Sequence, residues 1–128
     1  MAVHSDEFHR IVERLTDVER SEASKWTSFS VHGKKFGYYW PGTHTAGLKQ
    51  TISEQLALVA ERPDVFEEQF TSGGFGWVVV YLDRIEADEL SELVYEAWRL
   101  TAPEELVTAL PFTPVRRPQR RRRKQSTS

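Results

Sequence analysis

The segment between Gly73 and Pro103 constrains the fold of this chain more than any other. Residues 76–82, Gly-Trp-Val-Val-Val-Tyr-Leu, are rich in β-branched and aromatic side chains and follow two glycines, which predicts a strand. Residues 86–101 place apolar side chains three and four positions apart, which predicts an amphipathic helix that ends before Pro103. Such a strand and helix both need apolar partners, and the rest of the chain has to supply them.

The remaining pattern predicts elements that can cover this strand and helix. Residues 27–31 and 35–40 alternate around His32-Gly33, which predicts a β-hairpin with a tight turn. The other predicted elements are a helix over 5–19, a short strand over 48–52, a helix over 53–62, one or two helical turns over 64–70 and a short helix over 104–110. Antiparallel strands with helices at both ends favour a two-layer α+β fold in which helices pack on one face of the sheet.

The hairpin also predicts which side chains share a face. A two-residue loop pairs Phe29 with Phe36 and Thr27 with Tyr38, and paired residues point the same way. The residues expected in the core are then Phe29, Val31, Phe36, Tyr38 and Trp40, and Trp26, Trp77 and Trp98 are also interpreted as core side chains.

The opposite face of that hairpin gives one candidate binding surface. Its expected members are His32, Lys34, Lys35, Tyr39 and Lys49. A sheet face that combines aromatic and basic side chains can receive nucleobases or a peptide. The alternative is that Tyr39 is an ordinary, partly exposed strand residue, since surface aromatic residues are common.

Composition excludes several classes of protein. The 128 residues contain no cysteine, which excludes a disulfide scaffold, thiolate metal sites and a cysteine nucleophile. The histidines show no metal-ligand spacing, and the glycines at 73, 74 and 76 precede a strand, whereas a phosphate loop precedes a helix. We therefore expect no metal, no cofactor and no catalytic residues.

The N-terminus does not resemble a signal peptide and no apolar run could span a bilayer, so a cytoplasmic location is expected.

Charge divides the chain into two parts, a domain over 1–112 and a basic, proline-containing tail over 113–128 that is expected to be flexible. The cationic tail residues are Arg116, Arg117, Arg120, Arg121, Arg122, Arg123 and Lys124. Residues 1–115 carry ten basic and nineteen acidic residues, a net charge of −9. An arginine-rich terminus next to an acidic domain indicates phosphate binding by the tail, and the alternative is a tail that only keeps the protein soluble.

Two stretches of the sequence resemble the MmcQ/YjbR family. The first is Gly76-Trp77-Val78-Val79-Val80-Tyr81-Leu82-Asp83 with the following Ala97-Trp98-Arg99-Leu100 and Ala102-Pro103. The second is the hairpin Phe29-Ser30-Val31-His32-Gly33-Lys34-Lys35-Phe36, although Thr27-Ser28 stands where relatives often carry a basic residue and proline. The resemblance implies a CyaY-like fold and a DNA-binding role, and it brings no catalytic residues with it.

Two function hypotheses follow. The first is a non-enzymatic nucleic-acid-binding protein in which the tail contacts phosphates without sequence specificity. The second is a module that binds a protein or small ligand on the sheet face or in a pocket between sheet and helices. The oligomeric state is not indicated by the sequence.

Overall fold

The computed structural model describes residues 3–109, which form one six-stranded sheet with helices on one of its faces. The helices within this range are α1 (Ser5–Glu13), α2 (Ile52–Glu61), α3 (Ala87–Arg99) and α4 (Glu104–Ala109). The strands are β1 (Val18–Glu22), β2 (Thr27–Val31), β3 (Lys34–Trp40), β4 (Thr45–Thr51), β5 (Phe66–Ser72) and β6 (Phe75–Tyr81). They are antiparallel throughout and lie in the order β1-β2-β3-β4-β6-β5. The two-layer α+β prediction is confirmed.

The core lies between the sheet and the helix layer. Helices α2 and α3 pack on the sheet, and α1 packs on α3. Trp98 on α3, Phe8 on α1 and Leu48 on β4 are fully buried. The first helix and the hairpin both help to cover the long helix and the strand β6, but the hairpin is not adjacent to β6 in the sheet. Strand β4 separates them, because it pairs with β6 along its whole length, from Thr45 opposite Tyr81 to Thr51 opposite Phe75.

The two edge strands were not anticipated from the sequence. Residues 18–19 lie in the predicted helix over 5–19, residues 20–22 have a polar composition, and residues 66–70 lie in the helical turns predicted over 64–70, yet Val18–Glu22 and Phe66–Ser72 form strands. Each is stabilised by backbone pairing with one neighbour, which overrides a weak local preference. Both edges carry exposed charged residues such as Glu19 and Glu68, a composition that hinders pairing with another chain.

A β-bulge in β3 reverses the predicted faces of the hairpin. Val31 pairs with Lys34 as expected, but Phe29 pairs with Gly37, so that Phe36 is an extra residue on β3. An extra residue changes the register by one, and every side chain beyond it then points to the other face. Tyr39 is therefore buried under the helices, and the rings of Tyr38 and Trp40 leave the core. The prediction that Tyr39 belongs to a binding surface is wrong.

A second bulge, in β5, has the same effect at the far side of the sheet. Glu68 pairs with Val78 and Phe70 pairs with Trp77, so Gln69 is the extra residue. The helical turns predicted over 64–70 do not form, and the bulge in the strand places Phe70 on the face away from the helices, where it is 43% exposed. The buried amide of Gln55 on α2 donates hydrogen bonds to the carbonyls of Phe70, at 3.1 Å, and of Trp77, at 2.9 Å, which supports the backbone where the ladder is irregular.

Candidate functional site

The face of the sheet away from the helices carries a group of aromatic rings. We call it the aromatic face, and its members are Tyr38, Trp40, Phe70, Phe75 and Trp77. The rings of Tyr38 and Trp40 are stacked, with centroids 5.7 Å apart and planes 12° apart. The ring of Trp77 lies 5.6 Å from Tyr38 and 5.5 Å from Phe70. Four of the five rings therefore contact one another and not the hydrophobic core.

Gly47 on β4 allows the rings of β3 to reach across the sheet. A Cβ atom at this position would lie 2.8 Å from the Trp40 ring and 2.8 Å from Oε1 of Gln69. A side chain at residue 47 would therefore occupy the space that these two groups fill from opposite sides. The missing side chain on β4 lets the aromatic face extend from β3 to β5.

Lys49 supplies the positive charge of this face. Its Nζ atom lies 4.2 Å from the centroid of the Phe75 ring, which is a cation–π contact. Partial burial, and secondarily the nearby charge of Lys34, lowers the pKa of Lys49. Within residues 3–109 no carboxylate lies within ion-pair distance of its ammonium group. Lys49 is thus a partly desolvated cation that neighbouring groups do not neutralise.

The carboxylate on this face lies at the opposite end of β6. Glu67 on β5 accepts a hydrogen bond of 2.5 Å from the hydroxyl of Tyr81, and this bond is the main cause that raises the pKa of Tyr81. On β4, Thr45 pairs with Tyr81 and Lys49 pairs with Trp77. Four residues of extended strand separate the two ends by about 13 Å. The aromatic face therefore has a cationic end at Lys49 and an anionic end at Glu67.

The other residues expected on the sheet face lie near its cationic end. Lys34 and Lys35 are exposed at the start of β3, and Lys34 is close enough to affect the charge of Lys49. His32 lies in the β2–β3 turn, where its Nε2 atom is 3.0 Å from the carboxylate of Asp17. The charge of Lys34 affects Lys49, although Lys34 pairs with the buried Val31 at the start of β3. The structure excludes Tyr39 from this face, because its ring is buried under the helices and its hydroxyl forms a hydrogen bond with Nδ1 of His44.

The cationic tail residues and the proposed tail boundary at residue 113 lie outside the described residues. Their interpretation rests on the sequence alone, as a run of Arg116, Arg117, Arg120–Arg123 and Lys124 that follows an acidic domain.

Other parts of the described domain offer weaker sites. The space between sheet and helices, lined by Leu48, Gln50 and Leu93 among others, encloses about 140 Å³ of empty volume. That is below the size of an ordinary ligand pocket, which has a volume of several hundred Å³. Between residues 3 and 109, no group of three or more His, Asp or Glu side chains is arranged to hold a metal ion. No helix in the same range is long and apolar enough to cross a bilayer.

Sequence reasoning missed the members of the aromatic face because it did not place the two bulges. One signal was available for the first bulge, since Gly37 interrupts an otherwise bulky strand and an isolated glycine in a strand often marks a bulge. No comparable signal marks Gln69. Its position follows from pairing between β5 and β6, which is fixed by the turn at Gly73 and Gly74 with φ of 60° and 85°.

These features define a small α+β protein with one packed and one open sheet face. A model of the family described as YjbR matches residues 13–100, and the chain belongs to this family. The uncharacterized protein Mb2600 of Mycobacterium bovis and the uncharacterized protein Rv2570 of Mycobacterium tuberculosis are each 40% identical over 55 residues. The match covers 43% of this chain and 43% of each relative, so it spans less than half the length of either protein.

A solved structure supports the fold. It is the crystal structure of the Deinococcus radiodurans protein DR2400, which contains a DUF419 domain. The two structures superpose with a TM-score of 0.66 at 18% sequence identity, and the match covers 93% of this chain and 85% of that chain. The similarity at this level of identity establishes a common fold.

Proposed function

We propose that this is a cytoplasmic protein that binds nucleic acid and catalyses no reaction. The observation that carries the proposal is Lys49, a partly buried cation that feels the charge of Lys34 and has no neutralising carboxylate within residues 3–109. A desolvated charge next to a like charge is unfavourable for folding, and such groups occur preferentially at binding sites. A phosphate group would supply the missing negative charge.

The cationic tail adds further positively charged groups that can contact phosphate. Its seven positive charges follow a domain of opposite net charge, and arginine presents a fork of donors that fits phosphate oxygens. Contacts of this kind release counterions and do not depend on base sequence. We therefore assign most of the non-specific affinity to the tail, and a smaller, localised phosphate contact to Lys49 and Lys34.

Neutralising the tail should remove most of the salt dependence of binding. In the full-length chain, glutamine would replace all seven cationic tail residues, and binding to labelled oligonucleotides would be measured by fluorescence anisotropy at several salt concentrations. If all seven contact a single strand, the slope of log K against log salt should become less steep by about 5, since each contact contributes about 0.7, and the contacts of Lys49 and Lys34 should leave a small remaining slope.

The control for this experiment is the double variant Arg10→Gln/Arg14→Gln. Both arginines lie on or next to α1 in the helix layer, away from the aromatic face, so we expect little change in the slope. Equal salt dependence of the wild type and the tail variant would contradict the tail assignment. Absence of binding to any nucleic acid by the wild type would contradict the proposed function itself.

A second candidate function is the binding of a protein on the same face. The observation that favours it is Phe70, a large apolar side chain that is 43% exposed on the edge strand β5. An exposed apolar group at a sheet edge is a common feature of protein interfaces. A pocket in the core between the sheet and the helices is less favoured, because the space enclosed there is about 140 Å³, and the larger cleft of about 430 Å³ between α2 and β5 is open to solvent.

A further inference from the structure

We propose that the aromatic face binds the unpaired bases of a single-stranded nucleic acid by stacking. This inference rests on the proposed function and names its ligand. It concerns a surface that lies within the described domain, whereas the phosphate contacts of the tail do not distinguish between single and double strands.

The first argument is that the packing of the fold does not require these rings. The hydrophobic cluster between the sheet and the helices includes none of the five, although Trp77 is itself buried. Trp77 is 7% exposed, Phe70 is 43% exposed, and the rings of Tyr38 and Trp40 are partly exposed. Aromatic rings that cover one another on a solvent-facing sheet form a patch of the kind that marks an interaction surface.

The second argument comes from the two bulges. Without them, Phe70 and the pair Tyr38 and Trp40 would point into the helix layer, as the regular alternation of each strand predicts. Bulges are frequent next to functional sites, where they redirect side chains. Two independent bulges, in strands that are not neighbours, direct rings to the same face.

The third argument is the orientation of the rings. Tyr38 and Trp40 lie nearly parallel, with a 12° angle between their planes, and Phe70 and Trp77 are tilted by only 30°. The planes of Tyr38 and Trp77 differ by 50°, so the near-parallel rings form two pairs. Near-parallel rings on a sheet are suited to stacking with bases, and each stacked base adds a similar contribution whatever its identity. In a duplex the faces of the bases are already stacked on one another, so only unpaired bases can use such a surface.

The fourth argument is charge complementarity at the edge of the rings. The ammonium group of Lys49 lies against the Phe75 ring, and Lys34 lies nearby. A strand stacked on the aromatic face would place a phosphate at this cationic end and keep its backbone away from Glu67 at the other end. The combination of rings and a flanking cation fits a nucleotide better than it fits an uncharged aromatic or apolar ligand.

The test compares single-stranded and duplex oligonucleotides of the same sequence, in DNA and RNA forms, with an intact tail. Anisotropy titrations would be made with the wild type, Phe70→Leu and Trp40→Leu. We expect the wild type to bind single strands about tenfold more tightly than duplex, and each variant to lose about tenfold in affinity for single strands only. The tail-neutralised protein should lose affinity for both forms.

The control variant is Leu56→Ala, which removes an apolar side chain that is 56% exposed on α2 in the helix layer. It should bind both oligonucleotides as the wild type does. Phe70 is exposed enough for Phe70→Leu to fold normally, which thermal unfolding of the variant would check.

If the wild type binds single strands and duplex equally, or if Phe70→Leu and Trp40→Leu bind like the wild type, the stacking inference is wrong and the proposed function stands. If the wild type binds neither form, both are wrong.

Discussion

Replacing Trp98 with alanine should lower the free energy of unfolding by about 3–5 kcal/mol, the range typical of large-to-small aromatic substitutions in a core. Trp98 is fully buried on α3, and its indole N–H donates to the carbonyl of Thr16 at 3.0 Å. The substitution would leave a cavity at the centre of the helix layer and an unpaired carbonyl in the segment that leads from α1 to β1. Urea denaturation would measure the change.

The matched control is Trp26→Ala. Trp26 lies in the connection between β1 and β2 and is 43% exposed, so its removal should cost less than about 1 kcal/mol. A loss below about 1 kcal/mol for Trp98→Ala would contradict the assignment of α3 as the helix that closes the core. The comparison separates the effect of burial from the chemical effect of removing an indole ring.

Replacing Arg62 should lower the free energy of unfolding less than Trp98→Ala does, but more than a substitution at an exposed position. The guanidinium of Arg62, at the end of α2, donates to both carboxylate oxygens of Glu89 at 2.6 and 2.7 Å, and Glu89 is 2% exposed in the first turn of α3. Arg62→Met would leave a buried carboxylate without its partner. We expect a loss of about 2–3 kcal/mol, at or below the lower end of the range for buried pairs, because the Arg62 side chain is partly exposed.

Two further variants test the physical reason for this loss. The double variant Arg62→Met/Glu89→Leu should recover most of the stability, because an apolar pair replaces the ion pair and no charge stays buried. Arg99→Met removes a surface pair with Glu96 on α3 and should cost less than about 1 kcal/mol. If Arg62→Met costs no more than Arg99→Met, or if the double variant is as unstable as the single one, the buried pair does not stabilise the contact between α2 and α3.

Local sequence patterns predicted the elements whose periodicity is strong. The strand over 75–81 and the helix over 87–99 agree with prediction within a few residues, because their apolar spacing matches their burial. Strand β4 begins at Thr45, three residues before the predicted strand over 48–52, and Thr51 caps α2, which begins at Ile52, one residue before the predicted start at 53. Boundaries depend on hydrogen bonds with distant strands, which a local pattern does not contain.

The candidate site was predicted less well than the fold, for a specific reason. His32 lies in the predicted turn, and Lys34, Lys35 and Lys49 lie on β3 and β4, while their role in binding stays a prediction. The aromatic half of the surface was assigned to the wrong face. One extra residue at Phe36 exchanged Tyr39 for Tyr38 and Trp40. The strand alternation on which such assignments depend has a period of two, so a single bulge inverts the assignment for every residue that follows.

The most direct test of nucleic-acid binding on the aromatic face is an NMR titration of the full-length, ¹⁵N-labelled protein with a short single-stranded oligonucleotide. The indole N–H signals of Trp40 and Trp77 should shift, and that of Trp98, which is buried on the other side of the sheet, should stay in place as an internal control. A duplex of the same sequence should leave all three unchanged. Binding without a shift at Trp40 or Trp77, or equal shifts with the duplex, would contradict the assignment of this face as the base-binding surface.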